Sequence, residues 1–432
     1  MSSRSVFTGL LAIGLAIAAP SAAPAAEPPR FRVDHTGERA AIITPAGDPL
    51  FLLGLNHVGE SAPREPAARA AFLAEAVGRM RAWGFNNLGY GTPDEARDAL
   101  PFLAQLQLTQ GSHFQEAAQF TYLDVFDPEF QRTTRETIRS YCATTSGHPN
   151  LIGYYWSDTP RWDIDLARRL RGDDWVSALR RLPAASAGKR AYVEFLRESY
   201  HDDPSQYVAA YGHTIASFDD LLVFDFREFD RAHPTGRADD ELFLGRIARE
   251  LYQVIGGAFR EFAPGRLLFG ERYKMYDHPD VVLREAAKWI DVLSIQPGPE
   301  VGPRPGPGRD ETVFDGATFD RLHQLIGKPI LICDHQVSFH TPKHPVTLWH
   351  QAPDPSTAAA LVGQFVLAAA TKPYIVGYQR CQYVDSFRTD RGNMLKQGLV
   401  DVNGTPHPGL TGSLPALHAA ALKARGISPK PN

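Results

Sequence analysis

The chain has 432 residues, of which 43% are hydrophobic and 10% aromatic, so it can bury a large core and disorder over its whole length is excluded. Lys and Arg number 45 against 49 Asp and Glu, a formal net charge of -4, which lacks the basic excess of a nucleic-acid-binding protein or of a polybasic membrane patch. Three cysteines are too few for a disulfide framework, and Cys142, Cys333 and Cys381 lie too far apart in the sequence for a cysteine metal site. We predict no cofactor and no metal.

The N-terminus has the pattern of a secretory signal peptide. Arg4 precedes an apolar run over residues 9–19, and Ala23-Pro24-Ala25 matches an A-x-A cleavage site. The apolar run is too short to span a bilayer, and no later stretch approaches the ~18 apolar residues that a membrane helix needs. We therefore predict a signal peptide over residues 1–26 and a secreted or periplasmic mature protein that is not bound to a membrane.

Eight short apolar runs, most of them ending in polar residues, alternate with helical patterns along the rest of the chain. The runs span Leu50–Leu55, Phe85–Leu88, Phe102–Leu108, Leu151–Trp156, Leu267–Gly270, Val292–Ile295, Ile330–Cys333 and Tyr374–Tyr378. The main helical patterns span Pro66–Trp83, Asp127–Cys142, Leu242–Phe262, His278–Trp289, Ala317–Ile326 and Ser356–Ala370. Short apolar strands that alternate with helices predict a parallel sheet that is buried on both faces.

The predicted fold class is α/β, a (β/α)8 TIM barrel. A doubly wound open sheet is the main alternative, because periodicity does not distinguish an open sheet from a closed one. Polar residues after nearly every strand favour the barrel, whose functional groups lie at the C-terminal ends of its strands. We place an N-terminal β-hairpin at residues 27–49 and the barrel at 50–425. A helical insertion at 160–264, after the fourth strand, is long enough to form one wall of a cleft, and the Gly/Pro-rich stretch 296–309 is predicted to be a rim loop.

Two predicted strands are followed at once by an aspartate: Asp158 follows the fourth and Asp334 the seventh. These strands lie nearly opposite each other in an eight-stranded barrel, so the two carboxylates would face each other across its opening. Glycoside hydrolysis needs such a pair, one as the acid and the other as nucleophile or base. Either aspartate alone is more simply interpreted as a loop residue or a helix cap, whereas the pair favours catalysis.

Polar and aromatic residues near the strand ends are predicted to line the same cleft. Trp162 and Tyr273 are the better candidates for stacking against sugar rings, and Arg272 could hold a carboxylate ionised or bind an anionic sugar. Any one of these residues could instead brace the barrel. The predicted substrate-binding residues are Asn56, His57, Asn87, Trp162, Glu271, Arg272, Tyr273, Gln296, His335, Gln336 and Arg380.

Several segments resemble agarase-like and β-galactosidase-like glycoside hydrolases of clan A, of the family 50 type. The opening AAIITPAGDPLFLLGLNHVG resembles the phrase that leads into their first strand, PNLIGYYWSDTPRWD their fourth-strand segment, and KPILICD their seventh. YVEFLRESYHDDPSQYVAAYGHTIASFDDL and PYIVGYQRCQYVD resemble the helical stretch after strand four and the eighth-strand segment. The resemblance runs from about residue 38 to residue 422 and implies a barrel that cleaves galactose-type linkages.

The resemblance also implies catalytic roles, with two departures. Asp158 falls on the Asn of the family phrase and Thr159 on its acid/base Glu, while Asp334 falls on the nucleophile Glu and is one methylene shorter. Threonine has no labile carboxyl proton, so Asp158, Glu271 or Asp163 would supply the acid, or catalysis is impaired. Two aspartates should also widen the gap between the carboxyls, and a gap of about 6.5–9.5 Å suits the water of an inverting mechanism.

The sequence therefore predicts a secreted glycoside hydrolase that cleaves galactose-type poly- or oligosaccharides with Asp158 and Asp334. Two alternatives stay open. One is a carbohydrate-binding barrel that has lost its acid, and the other is a hydrolase of furanosides or anionic glycans in which Arg272 and Arg380 hold the anion. The expected partner is a polysaccharide or oligosaccharide, with no nucleic acid, and the sequence leaves the oligomeric state open.

Overall fold

The computed structural model describes residues 29–35, 37–108, 122–158, 160–226, 234–276, 278–297, 312–341, 346–347, 351–388 and 394–428. The predicted signal peptide, Thr159 and most of the predicted rim loop at 296–309 lie outside the described residues. Within these ranges no helix is both long enough and apolar enough to cross a membrane.

Eight parallel strands form a closed barrel in which neighbours in the chain are neighbours in space. They are β1 (Leu52–Leu55), β2 (Asn87–Leu88), β3 (Phe102–Gln105), β4 (Leu151–Asp158), β5 (Leu267–Lys274), β6 (Leu293–Gln296), β7 (Ile330–His335) and β8 (Ile375–Arg380). Because β8 pairs with β1, the sheet has no edge and the open-sheet alternative is wrong. The predicted (β/α)8 barrel is confirmed.

Helices surround the barrel, and several begin where the sequence supplies a cap. The helices between and after the strands are Pro66–Ala82, Pro128–Thr145, Pro234–Phe262, Asp280–Ala286, Gly316–Ile326, Pro355–Thr371, Pro408–Thr411 and Leu414–Ala424. Glu65, Asp127, Asp315 and Asp354 accept hydrogen bonds from amides of the first turn of the helices that follow them. Such caps satisfy amides that have no partner within the helix.

The segment between β4 and β5 holds the helices Ile164–Arg171, Trp175–Arg180, Ala187–Ser199 and Pro204–Tyr211, and the start of Pro234–Phe262. An ion pair between Arg180 and Asp240, 2.9 Å long and almost fully buried, ties this segment to the long helix Pro234–Phe262. The helix Ile164–Arg171, which begins just after β4, is absent from the sequence-based elements.

The N-terminal part forms a small antiparallel sheet of three strands, Arg32–Asp34, Ala41–Ile43 and Pro49–Leu50, where the sequence predicted a hairpin. Gly47, with φ 92°, turns the chain a second time and adds the third strand. Phe31 and Ile42 pack with Leu52 and Ile152 from the start of β1 and β4. The sheet therefore covers the N-terminal end of the barrel, away from the ends of the strands where Asp158 and Asp334 lie.

Irregular pairing changes which side chains point into the barrel. The register between β4 and β5 shifts on either side of Tyr155, where Gly270 has a left-handed φ of 74°. A second shift separates Ile332 from His335 in the pairing of β7 with β8. Side chains alternate strictly only in a regular strand, so a bulge turns the following residues to the other face.

One glycine allows β4 to approach β5 closely. A Cβ on Gly153 would lie 2.2 Å from the carbonyl oxygen of Leu267, so Gly153→Ala should lower the free energy of unfolding by about 2–3 kcal/mol. Gly147→Ala is the matched control, because no described heavy atom lies within 4 Å of its Cβ position. Urea unfolding of both variants measures the difference. Equal stabilities would contradict the close approach.

Candidate active site

The guanidinium of Arg272, on β5, lies between the two aspartates that the sequence singled out. Its Nη2 is 3.3 Å from Oδ1 of Asp158, and its Nη1 is 4.0 Å from Oδ2 of Asp334. It also stacks on Tyr90, with 3.5 Å between Cζ and the ring centroid. All four side chains are buried. The fold thus brings carboxylates from β4 and β7 to one cation at the C-terminal ends of the strands.

Two glutamines hold Asp158 and its surroundings in place. The Nε2 of Gln296, at the end of β6, donates to Oδ1 of Asp158 at 3.1 Å and to the carbonyl oxygen of Arg272 at 2.6 Å. The backbone amide of Asp158 donates to Oε1 of Gln107, which follows β3, at 3.2 Å. Gln296 therefore holds the carboxylate of Asp158 beside Arg272, and Gln107 holds its backbone amide.

Asp334 lies among cations. Burial raises its pKa, but Lys396, Arg272 and the hydroxyl of Tyr90 more than offset this, and the pKa of Asp334 lies below its ordinary value. Lys396 comes from a hairpin after β8, formed by Ser386–Arg388 and Met394–Lys396, and is itself buried. Asp334 is therefore ionised at neutral pH, which suits a nucleophile or base and not a proton donor.

His57, which follows β1, lies beside this pair. It has a left-handed φ of 55°, which is uncommon for a residue other than glycine and is found disproportionately at functional sites. Its Nδ1 is hydrogen-bonded to Glu60, and its ring packs perpendicular to that of Tyr90 with 4.5 Å between the ring centroids. Burial and the charge of Lys396 lower the pKa of His57, despite the opposing effect of Glu60. The imidazole is therefore neutral at pH 7.

Beneath the aspartates, the interior of the barrel is filled by polar side chains. Asn56 Nδ2 donates to the carbonyl oxygen of Cys333 at 3.0 Å, and the hydroxyl of Tyr155 donates to Gln379 at 3.2 Å. Asn87 lies in the same interior, beside Gly54 of β1. Its Nδ2 is 2.7 Å from the position that a Cβ on Gly54 would occupy. Asn56 and Asn87 are fully buried and brace the barrel, so the structure does not place them where a substrate would bind.

Trp162, Glu271 and Tyr273 lie outside the barrel, between its strands and the helices. Trp162 Nε1 donates to Glu271 Oε2 at 2.8 Å, and the hydroxyl of Tyr273 donates to that of Tyr252 at 3.1 Å. Trp162 is 1% exposed and Tyr273 0%, so neither offers a free face to a sugar, contrary to the sequence-based expectation. The reason is the bulge at Gly270, which turns Arg272 inwards and its two neighbours outwards.

His335 and Arg380 also face away from the cleft. The ring of His335 stacks on Phe365 of the helix Pro355–Thr371, with 3.8 Å between centroids, and Arg380 is its paired neighbour on β8. The anion-clamp role predicted for Arg380 therefore lacks support, because the register shift in β7 turns Asp334 inwards and His335 outwards. Gln336, in the turn after β7, donates to Ser338 at 3.3 Å.

The sequence-based set missed Tyr90, Gln107 and Lys396. Tyr90 and Gln107 closely follow the ends of β2 and β3. The criterion used for the other candidates, a polar or aromatic residue near the end of a strand, would therefore have included both. Lys396 gave no such signal, since it comes from a hairpin beyond the last strand. Within the described ranges, no group of three or more His, Cys, Asp or Glu residues is arranged to hold a metal ion.

Glu271 predicts a pH-dependent stability. Burial raises its pKa from 4.5 to about 8, despite hydrogen bonds from Trp162 and Tyr252. The stability that the neutral side chain of Glu271 contributes is therefore fully present below pH 4.5 and is lost as the pH rises towards 8. Glu271→Gln keeps an acceptor for Trp162 but cannot ionise, so between pH 5 and pH 8 the variant should gain about 3 kcal/mol relative to the unmodified protein. Urea unfolding at both pH values tests this, and the exposed Glu136→Gln should show no such gain. A parallel pH dependence in Glu271→Gln would contradict it.

Comparison with known proteins places this fold among glycosidases. No protein-family model matches the chain. A β-agarase A from Vibrio sp. (strain JT0107) is 23% identical over 361 residues, covering 78% of this chain and 34% of that protein. The structure of an exo-β-agarase superposes with a TM-score of 0.78 at 18% identity, covering 92% of this chain and 65% of that one.

Two further structures extend the similarity. Another agarase gives a TM-score of 0.77 at 18% identity over 92% of this chain and 65% of its own. A β-galactosidase from the psychrophilic Marinomonas ef1 gives 0.60 at 14% identity over 87% of this chain and 61% of its own. The chain spans about a third of the curated agarase and just under two thirds of the agarase structures. The resemblance seen in the sequence is confirmed: this barrel is similar in sequence to a β-agarase and has the fold of agarase-type and β-galactosidase-type glycoside hydrolases.

Proposed function

We propose that this protein is a glycoside hydrolase that cleaves galactose-type linkages in poly- or oligosaccharides. The observation that carries the proposal is the contact of Asp158 and Asp334, from β4 and β7, with the same guanidinium of Arg272. Paired carboxylates at the C-terminal ends of barrel strands are the groups that glycoside hydrolysis requires. The names of the similar proteins, agarase and β-galactosidase, support a galactose-containing substrate.

Asp334 is the nucleophile or the base in this proposal. Its pKa is lowered by Lys396 and Arg272 against the effect of burial, so its carboxylate is available to attack the anomeric carbon or to deprotonate a water. Asp158 donates the proton to the leaving sugar oxygen. Its Oδ1 lies 3.3 Å from Nη2 of Arg272, so the leaving sugar oxygen must approach the carboxyl group beside that contact.

The composition of the cleft favours a second candidate, a carbohydrate-binding barrel without hydrolytic activity. Asp334 is ionised at neutral pH and has no proton to donate, and Thr159, which falls on the acid/base Glu of the family that the sequence resembles, has no carboxyl group. Such a barrel would bind sugar in the cleft and release it unchanged.

One experiment separates the two candidates. The purified protein is incubated with galactans, agar oligosaccharides and furanosides, and reducing-sugar release is measured beside binding by calorimetry. We expect cleavage of a galactose-type member. Proton NMR of the first anomer formed then shows inversion if Asp334 is the base and retention if it is the nucleophile. Binding without cleavage would support the binding barrel. Neither binding nor cleavage of any galactose-type glycan would overturn the proposed substrate class.

We also propose that the protein is exported, on the basis of the signal-peptide pattern in residues 1–26. N-terminal sequencing of protein recovered from the periplasm or the medium should begin after Ala25 or Ala26. Recovery of the intact N-terminus from the cytoplasm would contradict export.

A further inference from the structure

Two buried polar side chains outside the cleft have no hydrogen-bond partner among the described residues. Arg380 ends β8 and His335 ends β7, and the two are directly paired in the sheet. All three guanidinium nitrogens of Arg380 and both ring nitrogens of His335 lack a partner in this part of the chain. Arg380 is 0% and His335 3% exposed, so solvent at the surface does not satisfy them.

Both side chains point into the layer between the barrel and its outer helices. The ring of His335 stacks on Phe365, which is buried in the helix Pro355–Thr371. Tyr378, two residues before Arg380 and on the same face of β8, is hydrogen-bonded at 2.6 Å to His418 of the helix Leu414–Ala424. Arg272 lies on the opposite side of the sheet, so this location is separate from the cleft.

Among the described residues, no carboxylate contacts Arg380 to cancel its positive charge. Burial lowers its pKa to about 10, so it is still protonated at neutral pH. Asp385 acts on Arg380 only at a distance, because its carboxylate lies 3.2 Å from His407 and also accepts from the Gly398 amide. Burial and the charge of Arg380 lower the pKa of His335 to about 3, so its ring is neutral and has one N–H to donate.

The chemistry of these groups indicates what they bind. A buried charge is stable only when it is paired, and Arg380 offers several N–H donors and no acceptor. A halide accepts several such hydrogen bonds, needs no acceptor in return and carries a single compensating charge. A water molecule would leave the charge uncompensated. We propose that Arg380 and His335 hold a buried halide ion, chloride under physiological conditions, between β7, β8 and the helix Pro355–Thr371.

Bromide provides a direct test, because it replaces chloride and scatters anomalously. Crystals of the full chain grown or soaked in sodium bromide should show an anomalous peak within hydrogen-bond distance of the Arg380 guanidinium and a ring nitrogen of His335. A map with no anomalous peak there, or one with only water at this position, would overturn the proposal. This measurement needs no variant, so a failure to fold cannot obscure it.

Thermal unfolding in solution gives a second, independent readout. After dialysis into sodium gluconate, replacement of gluconate by chloride at constant ionic strength should raise the Tm saturably, by about 2–5 °C. Arg380→Met should lose this response. Arg180→Met is the matched control, because the buried Arg180 is paired with Asp240; it should be less stable yet keep the chloride response. Equal chloride responses in Arg380→Met and the unmodified protein would contradict the site.

Discussion

Replacing Asp334 with asparagine should lower the rate of sugar release by about a thousandfold or more. The pKa of this carboxylate is lowered by Lys396 and Arg272 against burial, so the reaction loses an ionised nucleophile or base, while asparagine preserves the shape of the side chain. Initial rates on the substrate identified in the panel measure the effect. If Asp334 is a nucleophile, added azide or formate should restore part of the rate to Asp334→Asn.

Asp158→Asn should show a different pattern, because the acid matters only when the leaving group needs a proton. Its activity on natural linkages should fall by a factor similar to that of Asp334→Asn, whereas aryl glycosides with acidic phenols should still be cleaved. Asp98→Asn is the control, since the carboxylate of Asp98 is 98% exposed and far along the chain from either aspartate. Equal losses of Asp158→Asn on natural and aryl substrates would contradict the acid role.

Arg272→Met should cost about 3–5 kcal/mol of the free energy of unfolding at pH 7. The substitution leaves Asp158 and Asp334 buried beside each other without the cation that contacts both, and it removes the guanidinium that stacks on Tyr90. Urea unfolding measures the loss. Arg321→Met is the matched control, because Arg321 pairs with Asp280 at 2.8 Å at the surface, where such a pair contributes less than about 1 kcal/mol.

The pH dependence of Arg272→Met separates lost charge from lost packing. Arg272 is one of the charges that lower the pKa of Asp334, so its removal raises that pKa. The stability that comes from the lowered pKa of Asp334 is present above the unfolded pKa of about 4 and is lost as the pH falls through the folded pKa, and Arg272→Met lacks the part of it that Arg272 supplies. The deficit of Arg272→Met should therefore shrink between pH 7 and pH 4. If the stability deficit of Arg272→Met is the same at pH 7 and pH 4, the loss of stability comes from lost packing and not from lost charge.

The eight strands and the main helices around them were predictable from the sequence because each leaves a local signal. Buried parallel strands are short apolar runs, and surface helices repeat their apolar residues every three to four positions. The same pattern placed Asp158 and Asp334 correctly at the ends of β4 and β7. The helix Ile164–Arg171 was not predicted from the sequence, although it carries the Asp163 cap that often marks a helix start.

Which side chains enter the cleft was decided by the tertiary structure alone. Successive residues of a strand point to opposite faces, so a single bulge exchanges them, and the bulge at Gly270 sends Arg272 inwards but Glu271 and Tyr273 outwards. The charge of Lys396 acts on Asp334 from a hairpin far along the chain, and no local sequence pattern encodes this proximity. The sequence by itself therefore determined the barrel and its two aspartates, whereas pairing between strands and long-range contacts determined the charges that surround them.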